Sequence, residues 1–357
     1  VILLDKSGSM GDQKNSSGAY DWQNCESRWN PVAETLKSFF KDANSGRLYA
    51  SLSFLPADGD EYGMCAVSSY TKTSSGPAIK VPLTLLDQAG QDKFIKKLCD
   101  CGGDTTPASG CIVPSGGTPT LVAVQGTVDY ADSIRKLNPD GKTVIVMLTD
   151  GEPGFGFSYN GTVEHLYSCE DLPPKGCTGA ACGCVETGQC GSSDEEVAKV
   201  AAVIQSAPSK SIYVAGVGDI SEATLTTWAD ASGNAAINLL DMSGAEAAAT
   251  LRTRLEAIRQ SSIACDFTIP KPSGGKSIEP DKTNVVYTSG DGKANDLLRT
   301  KDGTSATCGN AINSWYFDNP NQPTKIELCP ETCKALQPDP NGKVDVVYGC
   351  EIKVQIY

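Results

Sequence analysis

Short aliphatic runs alternating with segments of helical period restrict this chain more than any other feature. "VILLD" at residues 1–5 has no polar face, the mark of a strand buried on both sides in a parallel sheet. "RLYASLSFLP" alternates Leu48, Ala50, Leu52 and Phe54, and "KTVIVMLTD", "SIYVAGVGDI" and "AAINLLDM" read as further strands. Between them, "WNPVAETLKSFFKDA" spaces Val32, Leu36, Phe39 and Phe40 as a helix does. "QAGQDKFIKKLCD", "PTLVAVQGTVDYADSIRKL", "SDEEVAKVAAVIQSA", "SEATLTTWADAS" and "GAEAAATLRTRLEAIRQ" read the same way. Strands alternating with helices at this spacing predict βα crossovers and an α/β fold: a doubly wound, mostly parallel sheet with helices on both faces. Pro82 cannot donate to a ladder, so "AIKVPLTLLD" is predicted to lie at the sheet's edge.

The pattern changes near Ser262. From Cys265 onward the sequence offers no helix, only short strand candidates between Gly, Pro and Asp turns: "CDFTI", "TNVVYT", "SWYFD", "TKIEL", "KVDVVY" and "EIKVQIY". Two domains are expected: residues 1–262 as the α/β domain, with a Gly- and Cys-rich insertion at about 154–192, and residues 263–357 as a smaller antiparallel β domain of sandwich type.

Two of the buried strands end in aspartate, Asp5 and Asp150. Ligands of open parallel sheets bind beyond the carboxyl ends of the strands. If these two strands are neighbours, two carboxylates meet at the rim, where each opposes the ionisation of the other. A hard divalent cation removes that conflict. Ser7 and Ser9 follow Asp5 and add hydroxyl oxygens without adding charge. An all-oxygen set of this kind suits Mg²⁺, which takes about six oxygens and keeps several waters.

"DKSGSM" resembles the Asp-x-Ser-x-Ser motif of von Willebrand factor A domains and integrin I domains. "GGTPT" is similar to that family's threonine loop and "TDGEP" to its second aspartate, in the family's order. The resemblance covers residues 1–262 and implies an open, mostly parallel six-stranded sheet with one antiparallel edge. It also implies a metal-ion-dependent adhesion site made of Asp5, Ser7, Ser9, Thr118 and Asp150, holding Mg²⁺, with Mn²⁺ or Ca²⁺ as alternatives. In such a site one coordination position is left for an Asp or Glu carboxylate of a protein partner. In integrin-type relatives the last helix shifts as the site changes affinity, which here would be felt at residues 244–260. A Cys265 bridge locking that junction would argue against such coupling. A looser resemblance, through "WYFDNPNQPTKIELCPETC", is to cysteine-rich A-domain proteins exported by bacteria.

Charge and cysteine content set the surroundings. A net charge of −13 over 357 residues repels phosphate backbones, so nucleic acid is not an expected partner. Fifteen cysteines against one histidine point to a disulfide framework and an oxidising compartment, hence a secreted or cell-surface protein. No apolar run reaches the length of about 18 residues that a spanning helix needs. Cys169, Cys177, Cys182, Cys184 and Cys190 favour a disulfide-stapled loop over a zinc site. With no base placed for Ser7 or Ser9, and His165 in a polar loop, no enzyme is expected. Taken with these features, the resemblance implies an adhesion or ligand-binding protein. The alternative is a structural subunit or tip component of an extracellular filament or pilus, with the metal as a staple.

Overall fold

The structure is a computed structural model. It describes residues 1–11, 25–45, 48–58, 66–71, 78–100, 110–138, 141–151, 153, 155–159, 162–167, 193–209, 211–261, 265–269, 280–309, 312–336, 339 and 342–348. Residues 44, 155–159, 162–167, 193, 194, 260, 261, 268 and 280 are described by backbone alone. The chain divides into two compact units, one of Val1–Leu137 with Thr143–Glu256, the other of Asn138–Lys142 with Ala257–Tyr357.

The first unit is mixed α/β. Its strands are β1 (Ile2–Asp5), β2 (Tyr49–Leu55), β3 (Ile79–Leu85), β4 (Ile145–Thr149), a separate hairpin of β5 (Phe155–Tyr159) and β6 (Thr162–Tyr167), then β7 (Ile212–Gly216) and β8 (Ile237–Asn238). Its helices are α1 (Trp29–Lys41), the single turn α2 (Ser68–Thr71), α3 (Gln88–Ile95), α4 (Thr120–Leu137), α5 (Ser193–Ser206), α6 (Glu222–Ser232) and α7 (Gly244–Ser261), the last of which crosses the division between units. Six strands form one sheet in the order β3-β2-β1-β4-β7-β8, parallel throughout except for the antiparallel β2–β3 pair. The Pro82 strand is the antiparallel edge, as its missing N–H requires.

Every residue of β1 is buried, and the strand is paired on both sides, Asp5 opposite Leu55 of β2 and Leu4 opposite Leu148 of β4. Leu3, Leu55, Met147, Val214, Leu225 and Trp228 belong to one apolar cluster, and the buried Trp228 donates Nε1–H to the Val197 carbonyl at 3.1 Å. Asp87 caps α3 by accepting the Gly90 N–H at 2.8 Å.

Helix α4 runs close to α2 because position 126 has no side chain. A Cβ on Gly126 would lie 2.5 Å from the Tyr70 Cβ and 2.7 Å from the Val67 carbonyl oxygen. Gly126→Ala is therefore expected to cost about 1–3 kcal/mol by overpacking, outweighing the gain of up to about 1 kcal/mol in helix propensity. Urea denaturation monitored by circular dichroism measures the balance.

The second unit differs from expectation in three ways. It holds β9 (Asp266–Thr268), β10 (Thr283–Thr288), β11 (Ala294–Arg299), β12 (Ser314–Phe317), β13 (Lys325–Leu328), α8 (Pro330–Leu336) and β14 (Lys343–Tyr348). Among the described residues these strands join one sheet, β14-β10-β11-β12-β13-β9, where two packed sheets were expected, and β11–β12 is a parallel pair. The sequence reading also missed α8. Seven residues are too few to display a helical period, although Pro330 at the first position is a helix-start signal. The cluster under the sheet includes Val285, Leu297, Trp315, Phe317, Ile326 and Leu328, and Trp315 donates to the Leu297 carbonyl at 3.0 Å.

Disulfides Cys265–Cys333 and Cys308–Cys329 staple this unit, and Cys99–Cys111 staples a loop of the first. The Cys265–Cys333 bridge fixes the chain shortly after α7 ends at Ser261. Both half-cystines belong to the second unit, so the bridge does not lock the junction between the units. The five insertion cysteines, Asn15, Asn160 and the C-terminal "EIKVQIY" lie outside the described residues.

Candidate metal centre

The site lies at the carboxyl ends of β1 and β4, where the sheet order turns in opposite directions, β1 leading to β2 on one side and meeting β4 on the other. In-register pairing of Leu4 with Leu148 sets Asp5 beside Thr149 and puts Asp150 just past the end of β4. Both carboxylates are wholly buried.

Each is held by short-range donors. Thr149 donates Oγ1–H to Asp5 Oδ2 at 2.6 Å, and the Ser7 N–H donates to Asp5 Oδ1 at 2.7 Å. Residues Gly8–Met10 form a single 3₁₀ turn that turns Ser7 and Ser9 to the same side, their hydroxyls 2.9 Å apart. Ser9 donates to Asp150 Oδ1 at 2.9 Å, and Ser7 Oγ stands 3.4 Å from the same oxygen.

The threonine loop is stitched to this turn through backbone. Gly8 N–H donates to the Gly116 carbonyl at 2.8 Å and Ser115 N–H to the Lys6 carbonyl at 2.5 Å. Thr118 is buried, and a Cβ on Gly151 would lie 3.6 Å from Thr118 Oγ1 and 3.7 Å from Ser9 Oγ. Thr118 thus sits beside the residue that follows Asp150. All five residues singled out from the sequence occupy one neighbourhood.

Two residues that the sequence did not single out complete it. Thr149 carries a donor for Asp5, and Arg28 donates Nη1–H to Asp150 Oδ2 at 3.1 Å and to the Ser9 carbonyl at 2.9 Å. Its Nη2 donates to Asp219 Oδ1 at 2.8 Å. Lys6, also buried, pairs with Asp58 at 3.4 Å, and burial holds its ammonium below the usual lysine range.

Burial raises the Asp5 carboxyl above its ordinary value, against the hydrogen bonds from Thr149 and Ser7. Burial and then the charge of Asp5 push Asp150 up to about 8, with Ser9 and Arg28 opposing. The donor set is two carboxylates whose charge is under-compensated plus three hydroxyls, all hard oxygen. That chemistry fits a small divalent cation of the Mg²⁺ type. Among the described residues, no group of three or more His, Cys, Asp or Glu side chains is arranged to hold a metal. Among the described residues singled out for the site, two are acids and the other donors are neutral.

No family model matches the sequence, and no curated protein matches it. Solved structures that resemble the chain do so distantly. A point mutant of the PilB minor pilin from Streptococcus sanguinis is 15% identical with a TM-score of 0.41, over 71% of this chain and 59% of that one. Proximal thread matrix protein 1 from the mussel byssus, in a structure with a zinc-occupied MIDAS motif, is 12% identical with a TM-score of 0.37, over 90% and 55%. The pilus adhesin RrgA from Streptococcus pneumoniae is 12% identical with a TM-score of 0.39, over 99% and 56%. The chain spans less than two thirds of the length of each.

A cation bound here would compete with protons for these carboxylates. Mg²⁺ affinity is expected to climb with pH, by up to about tenfold per unit below the Asp150 value. Calorimetry in buffers of different ionisation enthalpy should register proton release. The sign for stability is opposite in EDTA. Asp150 holds its proton more tightly folded than unfolded, so its contribution is fully present below the ordinary carboxylate value and is lost as pH rises toward about 8. Wild type should lose stability relative to Asp150→Asn across that window.

Proposed function

We propose that this chain is a secreted or cell-surface binding protein of the von Willebrand factor A type. In this reading residues 1–262 form the doubly wound A domain, with residues 263–357 as its β appendage. Asp5, Ser7, Ser9, Thr118 and Asp150 hold a divalent cation, Mg²⁺ before Mn²⁺ or Ca²⁺, and the partner is a protein presenting an Asp or Glu carboxylate. The observation that carries the reading is the convergence of the Ser7 and Ser9 hydroxyls on Asp150 Oδ1, beside a second buried carboxylate.

The residues divide the work by charge. Ser7, Ser9 and Thr118 supply neutral oxygens, while Asp5 and Asp150, held by Thr149, Ser9 and Arg28, supply the anionic field. A divalent ion there contributes Lewis acidity toward an incoming carboxylate, which two acids rather than three leave strong. The role is binding, not catalysis. The disulfides support an oxidising compartment. No described helix is long and apolar enough to cross a membrane.

Retention of the full chain on carboxylate-bearing resin, against amide-capped resin, tests this reading. Retention in Mg²⁺ that is released by EDTA is expected; retention unaffected by EDTA would sink it.

A second reading, a structural subunit of a surface filament, draws on β14. That strand lies at the edge of the second sheet and pairs only with β10 among the described residues. An open edge templates pairing with another chain. Concentration-dependent assembly in light scattering, unaffected by EDTA, would favour it.

A further inference from the structure

Arg28 precedes α1 and is only 15% exposed at its side chain. Its guanidinium divides Asp150 in two: Oδ2 accepts from Arg28, while Oδ1 is left to Ser9 and Ser7. The same Nη1 holds the Ser9 carbonyl, so one cation grips both the carboxylate and the backbone of the serine turn. Position 218 is bare where the side chain lies. Gly218 has φ +76°, and a Cβ there would stand 2.7 Å from Arg28 Nε and 2.9 Å from Cδ and Cζ. Nη2 is tethered outward by Asp219, which is 59% exposed.

We propose that Arg28 is a built-in counter-cation of the site, a positioning residue that stands in electrostatically for the divalent ion and thereby keeps the donors arranged when that ion is removed. The inference rests on the reading of Asp5, Ser7, Ser9, Thr118 and Asp150 as a cation site. Two buried carboxylates side by side either take up a proton or move apart. A guanidinium on Oδ2 adds a positive charge beside the pair and leaves Oδ1 facing the two hydroxyls. Entry of an ion then needs no rotation of Asp150. The exposed Arg28–Asp219 half of the network contributes little by itself. The Arg28–Asp150 half matters because its loss leaves a wholly buried carboxyl oxygen without its donor. The planar fork is what lets one side chain span both acids, which a lysine cannot copy. Arg28 also repels the incoming cation, so it holds affinity below what the donors alone would give.

The test uses the full chain, wild type and Arg28→Gln, melted in EDTA and in saturating Mg²⁺, with Mg²⁺ calorimetry on both. Arg28→Gln is expected to melt several degrees lower than wild type in EDTA and to match it in Mg²⁺. It should bind Mg²⁺ about tenfold more tightly, with a larger gain for the trivalent Tb³⁺. Arg28→Lys, which keeps the charge, should bind Mg²⁺ close to wild type. An equal loss of melting temperature with and without Mg²⁺, or an Arg28→Gln chain unfolded even in saturating Mg²⁺, overturns the proposal and leaves the cation reading standing. A flat wild-type isotherm removes the cation reading, and the proposal with it.

Discussion

Replacing Asp150 by Asn is expected to weaken Mg²⁺ binding by at least about a hundredfold, roughly 2.7 kcal/mol, while leaving the EDTA-treated protein no less stable than wild type. The two halves of this result have one cause. Asp150 is wholly buried, and burial together with the Asp5 charge raises its pKa, so its ionised form is a liability to the fold unless a cation is near. Asn keeps the shape and an oxygen to accept from Ser9, and it removes the repulsion with Asp5. Arg28 loses a charged partner but keeps Asp219 and the Ser9 carbonyl. A cation, by contrast, loses one of the two proposed anionic donors. Calorimetry with Mg²⁺, Mn²⁺ and Ca²⁺ measures the first half and thermal melts in EDTA the second. Indistinguishable isotherms for the two proteins would remove the site. Retention on carboxylate resin should disappear in parallel.

The second large effect is expected in the other unit. Serine at both Cys265 and Cys333 opens a cross-link spanning 68 residues, which a chain-entropy account values at about 4 kcal/mol. Among the described residues the unit has one apolar cluster, and both half-cystines pack against it. A domain of this size has little stability in reserve. The melting of residues 257–357 should fall by at least about 10 °C. Limited proteolysis should cut there first, at temperatures where wild type resists. The Mg²⁺ isotherm should not change, because every proposed donor belongs to the first unit. An unaltered melt would show that the bridge is dispensable, and a lost isotherm would show that the site depends on the second unit.

Much of the fold was legible because its signals are local. Buried strands are unbroken aliphatic runs, helices repeat their apolar residues every three or four positions, and Pro82 marks an edge by lacking a donor. The misses also have local causes. Helix α8 is shorter than two helical repeats. The β5–β6 hairpin was read as part of a loop although Asn160 and Gly161 form a turn-favouring dipeptide between its strands. In the site, Asp5, Ser7 and Ser9 announce themselves within five residues. Thr149 and Arg28 do not. They act on partners 144 and 122 residues away, and no periodicity or spacing encodes such a contact.

The sequence by itself determined which stretches are strands and helices, that two buried strands end in carboxylates, and that two hydroxyls follow the first. These are properties of neighbouring residues and of the periods at which side chains repeat. Only the tertiary structure decided that β1 and β4 are adjacent and in register, that the Ser115–Thr118 loop is pinned against the serine turn, and that a guanidinium donates to Asp150 Oδ2. Strand order and side-chain convergence depend on how distant segments bury one another, and that is a property of the whole packed chain.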